Sequence, residues 1–196
     1  MSNDETLGEE YMFYYDKYSK QHQIDHLITE HEFNENIRKI NSETVNDLKN
    51  GHTILHQAID HGSIHDIELL LELRGDPLIK DSLSQTSLFR ASIRGNDQVL
   101  RLLVDEVEYL EKDKGVRIDL NTILTSNKDS LIHAAILGLN FHHGINSYWS
   151  IIEWLIGQKE MNPFLENDFH LAPRDILYDV YVDQYDDLLE KLGCYS

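Results

Sequence analysis

The sequence predicts an all-α solenoid of stacked helix-turn-helix units with helical caps at both ends. The first observation is an internal repeat at an offset of 33 residues, in which a threonine, a leucine, an alanine and a glycine recur: Thr53, Leu55, Ala58 and Gly62, then Thr86, Leu88, Ala91 and Gly95. The second is the aliphatic run that follows each glycine and marks a second helix. Such a helix pair cannot bury its apolar stripe alone, so the copies are predicted to stack.

Two further copies follow with lower fidelity. The third begins at Ser130 in SLIHAAI and resumes at Ile151 in IIEWLI, and the fourth reads APRDIL from Ala172. We therefore predict an N-terminal helical cap over residues 1–47 and a repeat domain over residues 48–192. The repeats are expected near 48–80, 81–124, 125–166 and 167–192.

Copy one resembles an ankyrin repeat. It matches the family pattern G-x-T-P-L-H-x-A-A, the following glycine and the later turn through these residues: Gly51, Thr53, Leu55, His56, Ala58, Gly62 and Arg74-Gly75-Asp76. The resemblance extends over about residues 48–189 and implies a repeat solenoid that binds other proteins. It also implies that His56 and His133 brace loops by hydrogen bonding. Departures are the loss of the family's proline at Ile54, Ser87 and Leu131, and the phenylalanine Phe89 in the histidine position of copy two.

The residue types of each copy account for its helices. Thr53 and Thr86 are predicted to cap the first helices by accepting a backbone N–H. Gly62 and Gly95 suit a left-handed turn between the two helices. The second helix of copy one is predicted to bury a leucine stripe made of Leu69, Leu70 and Leu73.

The two ends are predicted to be helical caps. Four tyrosines near the N-terminus have the spacing of one helix face: Tyr11, Tyr14, Tyr15 and Tyr18. We expect this stripe to pack on copy one, and an aromatic surface that grips a partner is the alternative. At the other end, apolar residues between Ile176 and Leu192 predict a helix whose outer face is acidic and solvated.

Two insertions interrupt the repeat. One lies around residues 108–126, because Thr86 and Ser130 are 44 residues apart instead of 33. The other, residues 139–149, lies between the helices of copy three. Insertions in solenoids often lie on the binding face, but surface loops also tolerate extra residues at low entropic cost, so both explanations stay open.

Composition narrows the function classes. Lys and Arg number 17 against 35 Asp and Glu, which gives a formal charge of −18. Nucleic acid and anionic lipid repel such a chain, so we expect neither nucleic-acid binding nor membrane insertion. The single cysteine excludes an internal disulfide, and no presequence is recognised at the acidic start, so we expect a cytoplasmic monomer.

Catalytic and metal motifs are mostly missing. His22 with His26 and His61 with His65 have the spacing of metal ligands on a helix, but no thiol supports them. No phosphate-binding loop, dinucleotide fingerprint or nucleophile elbow is present. We therefore expect no cofactor, no metal and no enzymatic activity.

The residues expected to bind a partner stand out from the acidic background. Arg90 and Arg94 lie one turn apart, and apolar residues occur in or beside two loops. By the resemblance, the candidate surface comprises Arg90, Ile93, Arg94, His61, Leu83, Phe164 and Phe169. It would form a cationic and aromatic groove for an acidic or amphipathic peptide. The alternative is intramolecular, with both arginines paired to neighbouring carboxylates.

Three function classes follow. The leading prediction is a scaffold or adaptor, and the Ile-, Asn- and Tyr-rich composition resembles ankyrin effectors of intracellular bacteria that act in host cytosol. The second is an acidic inhibitor that mimics nucleic acid or an acidic substrate. The third is an enzyme whose site is built from the insertions and the histidines.

Overall fold

The fold was taken from a computed structural model that describes residues 30–61, 63–142, 146–158, 161–177, 179–191 and 194. Within these ranges the chain is all-helical and has no β-strand, which confirms the predicted fold class. The α-helices are α1 Glu30–Ile37, α2 Ile54–His61, α3 Ile64–Glu72, α4 Ser87–Ile93, α5 Asp97–Lys114, α6 Leu131–His142, α7 Asn146–Ile156 and α8 Asp179–Lys191. Short 3₁₀ helices cover Leu120–Thr122 and Pro173–Ile176.

Side-chain caps begin α3 and α4. The Thr86 hydroxyl accepts the Phe89 N–H at 3.2 Å, which confirms the predicted cap of α4. Ser63 forms a reciprocal capping box with Asp66 at the start of α3. Gly95 has a φ of 69°, which confirms the predicted left-handed turn between α4 and α5. Gly62 lies outside the described residues.

The apolar stripe of α3 differs from the prediction. Ile67, Leu70 and Leu71 are buried, whereas Leu69 is 39% exposed and Leu73 is half-buried. The prediction for Leu69 is therefore wrong. The buried positions follow i, i+3, i+4 spacing, and Leu69 points about 100° away from Leu70 on the helix.

Helix α6 is the centre of the stack. Every residue from Leu131 to Asn140 is buried, and the helix packs against α4, α7 and the 3₁₀ helix Pro173–Ile176. A helix that is apolar on all sides must be covered on all sides. No described helix combines the length and apolarity needed to cross a membrane.

Tyr148 of α7 joins copies two and three. Its ring packs against Gly95 and Gly138, where a Cβ atom would collide with it. Its hydroxyl donates to the Ile93 carbonyl oxygen at 3.2 Å, next to the C-terminus of α4. Burial raises the pKa of Tyr148 to about 12 against the opposing charge of Arg94, so the hydroxyl keeps its proton and donates.

The predicted insertions largely extend helices. Helix α5 continues to Lys114 and ends at Gly115, whose φ of 64° is left-handed. Helix α6 continues to His142 before α7 begins at Asn146. The first insertion therefore adds turns of helix before it becomes a loop.

The terminal segments are described in part. Phe33 of α1 and the nearby Val45 are buried within the predicted N-terminal cap. The tyrosine stripe Tyr11, Tyr14, Tyr15 and Tyr18 lies outside the described residues. In α8, Tyr185 and Leu189 are buried, while Asp183, Asp187 and Glu190 are exposed as the acidic outer face.

Candidate functional site

A hairpin loop, or finger, precedes each first helix. In the first finger, Lys49 and His52 exchange two backbone hydrogen bonds of 2.9 and 3.1 Å. All four fingers have a left-handed residue two positions before the residue that precedes the helix: Gly51, Ser84, Lys128 and His170. The first finger has a second left-handed residue, Asn50, whose φ is 53°. This one backbone conformation is therefore kept in all four fingers although the residue type changes.

One polar side chain organises each of the last three fingers. The Asp81 carboxylate accepts the N–H groups of Leu83 and Gln85, both at 2.9 Å. The Thr125 hydroxyl accepts the N–H groups of the residues two and four positions later, at 3.3 and 3.1 Å. The Asn167 side-chain oxygen accepts the corresponding N–H groups of its finger at 2.9 and 3.2 Å. The sequence search missed these residues because Asp, Thr and Asn differ in type. Their signal is a constant place, six residues before the next helix begins at Ser87, Leu131 or Pro173.

Two buried histidines brace the fingers, as the resemblance implied. His56 Nε2 lies 3.1 Å from the Gln85 carbonyl oxygen, and His133 Nε2 lies 2.9 Å from that of Leu171. In both rings Nε2 carries the proton, because it faces a carbonyl oxygen. Burial and the charge of Arg90 lower the pKa of His56 to about 4, and burial lowers that of His133, so both rings are neutral at pH 7.

A buried ion-pair cluster joins copies one and two. Asp60 holds both arginines, with its two oxygens 2.7 Å from Arg90 Nη1 and 2.8 Å from Arg94 Nε. Arg90 Nη2 also lies 3.0 Å from Asp81 Oδ2. We call Asp60, Asp81, Arg90 and Arg94 the Asp60 cluster. Its two carboxylates balance its two guanidinium groups.

Asp81 is the innermost carboxylate of the Asp60 cluster. Burial raises its pKa, but hydrogen bonds from His52 and the Gln85 backbone, together with the charge of Arg90, outweigh burial and bring the pKa below its usual value. His52 Nδ1 lies 3.2 Å from the same oxygen that Arg90 contacts. Asp81 therefore links the finger of copy two to the helix behind it.

The comparisons with known proteins agree with this architecture. The sequence model described as ankyrin repeats, in three copies, matches residues 17–121, which is more than half of the chain. The chain belongs to the ankyrin repeat family. Ankyrin repeats generally serve as protein–protein interaction modules. No curated protein matches the sequence.

The matched region starts inside the segment that we predicted as a cap. Helix α1 begins 34 residues before α3, which is about one ankyrin repeat. The division at residue 47 between cap and repeats stays a prediction.

The predicted partner-binding residues fall into two groups. Arg90 and Ile93 are each 3% exposed, and Arg94 is about one-fifth exposed at its side chain, so the first group is largely enclosed. His61, the last residue of α2, is half-buried with its ring 6.4 Å from that of Phe33. The pairing of both arginines is the intramolecular alternative that the sequence left open. The first group therefore offers little free positive charge.

The second group is apolar and more accessible. Leu83 and Phe169 are half-buried at the same position of the second and fourth fingers, two residues after Asp81 and Asn167. Phe164 is 43% exposed in the turn before the fourth finger. Its N–H donates to Asn162 Oδ1 at 2.9 Å, which fixes that turn.

Within the described ranges, no group of three or more His, Cys, Asp or Glu residues is arranged to hold a metal ion. His61 and His65 lie in this part of the chain, whereas His22 and His26 lie outside it.

Proposed function

We propose that the chain is a non-catalytic adaptor that binds another protein along its ankyrin fingers and first helices. One observation carries the proposal: Leu83 and Phe169 are held partly accessible at equivalent positions of two fingers. Side-chain acceptors and buried histidines fix the backbone of these fingers. A surface that is already ordered loses little conformational entropy on binding, and aromatic side chains are frequent energetic anchors.

The buried arginines take a supporting part in this proposal. Arg90 fixes the finger of copy two through Asp81, while Ile93 is packed beneath the surface. Arg94 contributes only the accessible edge of a guanidinium that is already paired with Asp60. A partner of the fingers is therefore expected to bring apolar side chains more than acidic ones. The effector, cytoplasmic and acidic-inhibitor interpretations stay predictions of the sequence.

Quantitative affinity capture from cell lysates tests the proposal. The tagged chain is compared with the double variant Leu83→Asp and Phe169→Asp, and with the control Val116→Asp, at a residue that is 60% exposed just after the C-terminus of α5. For proteins that the unaltered chain retains, the captured amount is expected to fall about tenfold or more with the double variant. The captured amount is expected to stay the same with the control. Equal capture by all three folded proteins contradicts binding through the fingers.

A further inference from the structure

A groove of about 690 Å³ lies between α3 and α5, the second helices of copies one and two. Its apolar part consists of Leu71 from α3 with Leu102 and Tyr109 from α5. Leu71 is nearly buried, Leu102 is half-buried and Tyr109 is 45% exposed. A large accessible aromatic side chain beside two leucines is a surface that a partner can cover.

The rim of this groove is acidic. Glu68 and Glu72 lie one turn apart on α3, and Glu106 faces them from α5. Among the lining residues, all of which the structure describes, Arg74 is the one cation. It already contacts Tyr109, with 3.3 Å from Nη1 to the phenol oxygen and 5.4 Å from Cζ to the ring centroid. Burial raises the pKa of Glu106, and the charge of Arg74 opposes that shift only in part.

The neighbouring gap in the same solenoid shows what fills such a space. Between α5 and α7, the Arg101 guanidinium lies over the Trp154 ring at 4.6 Å and donates to Asp97 at 2.9 Å. The repeat alignment places Glu68 at the position of Arg101 and Leu102 at that of Trp154. The groove between α3 and α5 therefore has a short acid and a leucine where the next gap has a guanidinium and an indole.

We propose that the groove between α3 and α5 docks a segment of another protein that carries arginine beside a bulky apolar side chain. The guanidinium adds positive charge beside the three glutamates, whose basic neighbours are Arg74 and the exposed His65 ring, 3.8 Å from Glu68. The apolar side chain covers Leu102 and Tyr109. Arginine is preferred to lysine because its planar group pairs with carboxylates through two hydrogen bonds and stacks on aromatic rings. The groove shares no lining residue with the finger surface, so it adds a second docking site to the proposed adaptor.

The experiment fills the groove with the side-chain pair that occupies the neighbouring gap. The double variant Glu68→Arg and Leu102→Trp copies the Arg101–Trp154 pair into the groove. The control, Glu153→Arg and Val116→Trp, makes the same changes in charge and aromatic content. It uses the equivalent glutamate of copy three and a valine that is 60% exposed. The full chain is titrated into a labelled helical peptide with two arginines one turn apart beside two leucines, and fluorescence anisotropy is measured. Thermal unfolding checks that both variants fold.

The peptide is expected to bind the unaltered chain and to lose about tenfold or more in affinity for the closed variant, with a change under about twofold for the control. A peptide with serine in place of leucine is expected to bind more weakly to the unaltered chain. The single variant Glu72→Arg, on the exposed rim, is also expected to weaken binding of the peptide. It tests the acidic rim independently of the double variant. Absence of binding to the unaltered chain overturns the proposal. Equal weakening by closed variant and control, or equal binding of the serine peptide, also overturns it, because attraction to the net charge then explains the result.

Discussion

The junction between copies one and two is held by buried charges, whereas the junction between copies two and three is held by an aromatic ring. In the first, Asp60 joins the two arginines and His56 braces the next finger. In the second, Phe89 replaces the bracing histidine, and Tyr148 lies against Gly95 and Gly138.

The third finger shows how the second junction compensates for the missing histidine. Thr125 Oγ1 donates to Asp129 Oδ2 at 3.0 Å, and Asn167 Nδ2 donates to Asp129 Oδ1 at 3.0 Å. Lys80 Nζ also donates to the Leu124 carbonyl oxygen at 2.8 Å. The third finger is thus fixed by polar contacts at its own base, while the helices behind it are held by close packing of the Tyr148 ring. One fold therefore contains a junction sensitive to charge and another sensitive to volume.

The largest expected effect comes from removing the carboxylate shared by both arginines. Asp60→Ala leaves Arg90 and Arg94 enclosed without their common partner, which is expected to lower the free energy of unfolding by about 3–5 kcal/mol. Urea denaturation measures this change. The control Glu153→Ala breaks the exposed pair with Lys191, 2.9 Å long, and is expected to cost less than about 1 kcal/mol. Similar small losses in both variants contradict a structural role for the Asp60 cluster.

Acid is expected to weaken the first junction through His56. The pKa of this ring is about 4 when folded and 6.5 when unfolded, so between these values the unfolded chain binds more protons. The contribution of His56 is complete above pH 6.5 and decreases by about 3 kcal/mol as the pH falls to about 4. Because many carboxylates also titrate in this range, the decisive measurement is NMR titration of the His56 ring in the folded chain. A folded pKa near 6.5 contradicts the prediction.

The repeat period in the sequence predicted the local backbone structure, whereas the positions of the charged residues did not predict which of them pair. Thr86 and Gly95 have local roles set by backbone geometry, so their spacing alone revealed a cap and a left-handed turn. Arg90 and Arg94 have roles set by Asp60 and Asp81 in other segments, and spacing along one helix did not reveal that pairing. Leu69 was misassigned because a run of three leucines does not show which of them lies on the buried arc of the helix.

Alanine substitution of two glycines tests the second junction, because the glycines have nearly the same backbone conformation and different surroundings. Gly95 and Gly115 have φ values of 69° and 64°, so alanine at either position carries a left-handed strain of about 1–2 kcal/mol. At Gly95 the added Cβ would lie 2.5 Å from the Tyr148 ring, whereas at Gly115 nothing lies within 4 Å. Overpacking is therefore expected to make Gly95→Ala about 1–3 kcal/mol more destabilising than Gly115→Ala in urea denaturation. Equal losses in the two variants mean that the ring yields at no cost, and the second junction then does not depend on close packing of Tyr148.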